Sequence, residues 1–152
     1  MKLLVAAIAL GLLSVAFPAL SRSHAEVIDG DTLRLNGVTW RLHGIDAPEA
    51  KQTCADGWWA GQEAHRALGR IVWTRKVECT EITKDRYGRS VGRCTADGED
   101  IGAQMVREGY AWAFTRYSWR YLPEEWLAWW NGLGVHKREC VKAWDWRNKG
   151  RG

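Results

Sequence analysis

The sequence predicts an α+β fold, mainly β, in which short strands close on one another as a small barrel with helices between and after them. Three observations carry that expectation. Two β-rich runs meet at Asn36-Gly37, a stretch of helical periodicity follows, and two more β-rich runs flank Asp85-Arg86-Tyr87-Gly88-Arg89. Asn-Gly is the favoured pair for a two-residue hairpin, because both central residues need φ > 0. Val27 to Ile28, Thr32 to Leu35 and Val38 to Leu42 therefore read as a meander. From about Trp58 to Val72, the residues Ala60, Ala64, Ala67, Leu68 and Ile71 recur on one helical face. Val77 to Ile82 and Ser90 to Cys94 read as a second hairpin, which brings the expectation to five strands. Asp100 can cap a short helix ending at Gly109, with Ile101 and Met105 facing inward. Pro123 has the fixed φ of a first helical turn and opens a third helix. On that helix Trp126, Trp129, Trp130 and Leu133 fall at i, i+3, i+4 and i+7, and they are expected to cover the core.

The chain has 152 residues and a formal net charge of +4, too little for a histone-like polycation that holds nucleic acid by bulk electrostatics. Binding to a backbone must be local, through a strip such as Lys84, Arg86, Arg89, Arg41 and Arg116. Lys2 and the apolar run from Leu3 to Leu20 have the pattern of a secretory signal. Residues 1–23 are read as that signal, cut between about 21 and 25, and residues 24–152 as one domain. A secreted or periplasmic protein is expected, with an uncleaved membrane anchor as the alternative. Four cysteines in such a compartment suggest two disulfides. Cys79 and Cys94 flank the Asp85 to Arg89 tip almost symmetrically, on what would be neighbouring strands, which leaves Cys54 and Cys140 by elimination. A zinc site is the alternative, although no Cys-x-x-Cys spacing or clustered His supports it.

Asp29-Gly30-Asp31-Thr32, Arg41 to Glu49 and Asp85 to Arg89 together supply the parts of metal-assisted phosphodiester cleavage. Taken alone, Asp-Gly-Asp is an ordinary turn in which Gly takes positive φ, and Tyr-Gly-Arg is a hairpin tip. Taken together, Asp31 and Asp46 are hard oxygen donors, too few for the roughly 6–8 oxygens around calcium, so water and phosphate must complete the shell. Glu49, beyond the rigid Pro48, suits a general base acting on water. Arg41 and Arg89 can meet phosphate oxygens bidentately and stay charged.

The same residues resemble the staphylococcal-nuclease-like (thermonuclease) family. The resemblance runs from Val27-Ile28-Asp29-Gly30-Asp31-Thr32-Leu33 through Arg41 to Glu49 and Asp-Arg-Tyr-Gly-Arg. It continues to Val106-Arg107-Glu108-Gly109-Tyr110-Ala111 and a closing Trp144-Asp145-Trp146-Arg147. It implies an OB-fold five-stranded barrel with about three helices. It also implies Ca2+ on Asp31, Asp46 and the backbone carbonyl of Ala47, with Arg41, Glu49 and Arg89 catalytic. Arg86 and Tyr87 would bind substrate, Tyr87 by stacking on a base, and Phe114 and Tyr117 lie near further family aromatics. The implied activity is cleavage of DNA and RNA, with little sequence preference, to 5′-hydroxyl and 3′-phosphate ends. A monomer without a stable protein partner is expected. The competing reading is a non-catalytic envelope protein that binds nucleic acid or polysaccharide through the barrel and some of its 11 tryptophans, Trp58, Trp59, Trp119, Trp144 and Trp146 being the aperiodic ones.

Overall fold

The computed structural model describes residues 25–150. Strands β1 (Ala25–Asp29), β2 (Thr32–Leu35) and β3 (Val38–Leu42) form the expected antiparallel meander. Asn36 and Gly37 turn the chain between β2 and β3 with φ of 50° and 80°, the positive pair that a tight hairpin requires. A two-residue strand, β4 (Ile45–Asp46), precedes α1 (Ala60–Val72). The second hairpin is β5 (Val77–Lys84) and β6 (Ser90–Ala96), and the short β7 (Glu99–Asp100) pairs with β6. Then come α2 (Ile101–Arg107), β8 (Trp112–Ala113), α3 (Leu122–Trp130), a 3-10 turn at Gly134–His136 and α4 (Ala143–Lys149).

The principal strands lie in the order β1-β2-β3-β6-β5. Within this order β3 and β6 are parallel and the other neighbours antiparallel. A parallel joint needs a crossover, which α1 provides. The predicted stripe Ala60, Ala64, Ala67, Leu68 and Ile71 is buried along α1, and most of it packs with Leu33, Leu42, Ile45, Ile101 and Met105 in the main core. Asp100 caps α2 by accepting the Ala103 N–H at 3.1 Å, as expected. Its other task is to accept the Tyr121 hydroxyl at 3.0 Å, which ties the start of α3 to α2.

The structure overturns the expected apolar face of α3. Only Ala128 is buried on this helix, while Trp126, Trp129, Trp130 and Leu133 are exposed. The small Ala128 is what allows a close approach to the core. The larger indoles lie outside, where Trp126 and Trp130 stack with centroids 5.7 Å apart. Periodicity finds a stripe but does not say which of two apolar faces docks. Helix α4 makes four α-helices among the described residues, against about three expected; at seven residues it is too short for a periodic signal. The expected leader lies outside the described residues. Among the described residues, no helix is long and apolar enough to cross a membrane.

Both expected disulfides are present. Cys79–Cys94 joins directly paired positions of β5 and β6, and Cys54–Cys140 joins the segment before α1 to the segment before α4 across 86 positions. Gly61, in the first turn of α1, sits so close to the Glu49 carbonyl that a Cβ would collide with it. Gly61→Ala is therefore expected to lower unfolding free energy by about 1–3 kcal/mol in a denaturant titration, as overpacking does.

Candidate active site

Asp31 ends the turn between β1 and β2, with 4% of its surface exposed, and Asp46 on β4 is 0% exposed. Gly30 does not adopt the positive φ that the simple turn reading assigns to it. It is required there by contact, since a Cβ would lie 2.6 Å from that of Ala64 and 2.8 Å from that of Ala47. The turn thereby packs against α1 and the residue after Asp46. Arg41 projects from β3 opposite Thr32, next to Asp31. Its Nη1 donates to Asp31 Oδ1 at 2.7 Å and its Nη2 to Asp46 Oδ1 at 2.8 Å. Asp31 Oδ1 also accepts the Thr32 hydroxyl, and Oδ2 accepts the Ala47 N–H at 3.2 Å. Ala47 is thus buried against Asp31.

The electrostatics follow from three neighbouring aspartates, of which Asp31 and Asp46 are buried and Asp29 partly so. Burial and then the charge of Asp31 push the Asp29 carboxyl up to about 6. Burial also raises Asp46, opposed by Arg147 and Arg41 and reinforced by Asp31. For Arg41, burial is the largest single influence and disfavours its charge, but Asp31, Asp46 and Asp29 together outweigh it and hold the guanidinium above its ordinary value. Arg41 therefore remains a cation between acids.

Arg147, which the sequence placed only in a closing motif without a role, completes the cluster from α4. Its Nη2 donates to Asp46 Oδ2 at 2.8 Å, and Nη1 donates to Asp46 Oδ1 at 3.2 Å and to Glu49 Oε1 at 2.6 Å. The helix is delivered there by aromatic packing. Trp112 of β8 pairs with Asp46 in the ladder and meets the edge of Trp144, which stacks on Phe114 at 5.1 Å. Trp144 and Arg147 are three apart on one helix, so seating the indole aims the guanidinium. Gln52, 1% exposed, accepts the Glu49 N–H at 3.1 Å and donates to the Val141 carbonyl at 2.6 Å. Only the pairing of Cys54 with Cys140, reached by elimination, hinted at this tail-to-loop contact.

The Asp85 to Arg89 tip carries the remaining candidates. Ser90 pairs with Trp40 and Val91 with Arg41, so Arg89 lies just beyond the end of β6, beside the strand bearing Arg41. Asp85 holds it, Oδ2 accepting Arg89 Nε at 2.7 Å and Oδ1 accepting the N–H groups of Tyr87 and Arg89. Among the described residues, Arg89 makes no direct bond to Asp31, Asp46 or Glu49. Tyr87 is 71% exposed, with Arg86 and Arg89 against its ring at 5.0 and 5.8 Å. Phe114 is packed between Tyr117 and Trp144, so it shapes the site from within, whereas Tyr117 is exposed.

No group of three or more His, Cys, Asp or Glu residues is arranged to hold a metal among the described residues. The available pair, Asp31 and Asp46, is all-oxygen; both carboxylates already face Arg41, and Asp46 faces Arg147 as well. Such donors fit a hard cation of the calcium type, with water and phosphate oxygens making up most of its shell of about 6–8 ligands.

Residues 39–128 match the family model described as staphylococcal nuclease homologue. That span contains Arg41, Asp46, Glu49 and Arg89, and leaves Asp31 and Arg147 outside it. Among known proteins, the chain is 39% identical to the succinoglycan biosynthesis protein ExoI of Rhizobium meliloti, over 57% of this chain and 49% of that one. It is 34% identical to protein ParB of Escherichia coli, over 95% of this chain and 90% of that one. It is also 34% identical to the staphylococcal-like nuclease CAN1 of Arabidopsis thaliana, over 74% of this chain and 34% of that one. The chain thus spans about half of the first relative, nearly all of the second and a third of the last.

Proposed function

This chain belongs to the staphylococcal nuclease homologue family, and on that premise we propose that it is a calcium-dependent phosphodiesterase that hydrolyses DNA and RNA, with little sequence preference, to 3′-phosphate ends. What supports this reading is one cluster in which Asp31, Asp46 and Glu49 are linked through Arg41 and Arg147. Glu49 takes a proton from water as that water attacks phosphorus in line with the departing 5′ oxygen; the P–O5′ bond breaks and the leaving oxygen takes a proton from solvent to become the 5′-hydroxyl. Arg41 spends two N–H groups on the aspartates and keeps the rest of its five for phosphate oxygens. Arg89 approaches from the hairpin tip, and the two guanidiniums stabilise the charge that develops on the phosphorane oxygens. Asp31 and Asp46 would hold the calcium ion, which when bound supplies further positive charge to draw in the phosphate. Tyr87 offers an exposed ring on which any base can stack.

Release of acid-soluble nucleotides from single-stranded DNA tests the proposal. Release is expected with calcium and not with chelator, and Glu49→Gln should slow it by about 10²–10⁴-fold, the usual contribution of a general base. A folded, disulfide-intact wild type that releases nothing would leave a nucleic-acid or polysaccharide binder, for which the exposed Trp59, Trp119, Trp126, Trp129 and Trp130 supply surface. Export by a cleaved leader to an oxidising compartment, as a monomer, belongs to the same proposal and is consistent with two disulfides.

A further inference from the structure

We propose that Arg147 is a positioning residue for this reaction: from α4, its guanidinium fixes the Glu49 carboxylate beside the immobile Asp46. The proposal rests on the reading of Glu49 as the base. Glu49 follows Pro48 on a loop, and its side chain is 38% exposed. Left alone, such a carboxylate would turn among rotamers, whereas a general base must stay within about 2.6–3.2 Å of the proton it takes. Among the described residues, Arg147 is the one side chain bonded to that carboxylate. The bond occupies Oε1 and leaves Oε2 to accept a proton. Nη2 donates to Asp46 Oδ2, and Nη1, besides Glu49, reaches Asp46 Oδ1, so the guanidinium is anchored on a carboxylate that is fully buried and cannot follow the motion of a loop. A planar guanidinium anchored on one carboxylate therefore holds the second in a fixed direction.

The tail that carries Arg147 is tied to the Glu49 segment at two points and, at a third, to β8, the strand paired with β4. Cys140 is bonded to Cys54, the Val141 carbonyl accepts from Gln52 while Gln52 accepts the Glu49 N–H, and Trp144 is lodged against Trp112 and Phe114. A helix of seven residues burying only Ala143 has little reason to be held this firmly unless what it carries must be held.

The experiment is a double-mutant cycle with an oligonucleotide substrate at saturating calcium. Wild type, Arg147→Ala and Arg147→Lys are compared, each with Glu49 intact and with Glu49→Gln. With Glu49 present, Arg147→Ala should lower kcat by about 10–100-fold, as loss of an orienting partner does, and leave KM unchanged. Lysine should recover only part, since an ammonium cannot fork. In the Glu49→Gln background, Arg147→Ala should have no further effect, because residues acting as one unit are non-additive. Equal losses in both backgrounds, or a change confined to KM, would overturn the proposal. Calcium titration calorimetry supplies a readout apart from activity. Arg147→Ala should bind calcium at least as tightly as wild type, since a positive charge has left the carboxylates; loss of calcium binding would instead make Arg147 a support of the aspartates. If the alanine variant does not fold, Arg147→Lys decides by the same cycle. An inactive wild type overturns the nuclease reading and this proposal with it, whereas an active wild type with additive losses overturns this proposal alone.

Discussion

Arg41→Ala is expected to lower kcat by about 10²–10³-fold and to destabilise the fold in the same step. The first effect arises because a preorganised donor in a dry site is worth several kcal/mol to a developing anion. The second arises from what the guanidinium does at rest. It bridges Asp31 Oδ1 and Asp46 Oδ1, and both aspartates are buried. Removing one partner of a buried ion pair typically costs about 3–5 kcal/mol, because the survivor is left charged and unsolvated. Asp46 keeps Arg147, so the lower end of that range is expected here, with most of the loss falling on Asp31. Single-turnover rates at saturating oligonucleotide and a denaturant titration measure the two effects separately. Arg41→Lys discriminates further, since it keeps the charge but cannot reach both aspartates in the plane of a fork. Unchanged turnover in a well-folded Arg41→Ala protein would remove Arg41 from the mechanism.

The meander, the long helix and the second hairpin were legible because their signals are local. Asn36-Gly37 states a turn geometry, and the alanines of α1 state a face. The acids and Arg41 were legible because they sit within a few residues of strands whose register brings them together. Arg147 was not legible. It stands 98 and 101 positions from the carboxylates it bonds, on a helix too short to announce itself. Its place follows from Trp112, Phe114 and Gln52, none of which says in sequence what it will touch, and from a disulfide whose pairing the sequence offered only by elimination. The indoles of α3 failed for the opposite reason, since their clear period on a helix with more than one apolar face does not say which side meets the core.

Replacing Cys54 and Cys140 together by serine is expected to lower unfolding free energy by roughly 4–5 kcal/mol, the loop-closure value for a crosslink of this span. The two atoms removed lie outside the carboxylate cluster, so a simple bystander crosslink would leave kcat untouched wherever the variant remains folded. The tail argues otherwise. Helix α4 has seven residues, far fewer than the dozen or so an isolated helix needs to persist in water, so it depends on its attachments. With Cys140 released, Gln52 and Trp144 remain to hold it, and local opening of the last turn becomes easier than global unfolding. Each opening withdraws Arg147 from Glu49 and Asp46. The variant should therefore lose turnover at temperatures where far-ultraviolet circular dichroism still reports a folded protein, and hydrogen exchange should show 143–149 unprotected first. The paired serine change at Cys79 and Cys94 is the control. That crosslink spans 15 positions on strands already joined by a backbone ladder, so about 3 kcal/mol of stability should go while the tail stays closed. If the two variants lost activity in proportion to stability alone, the tail would be a passenger on the site and not part of it.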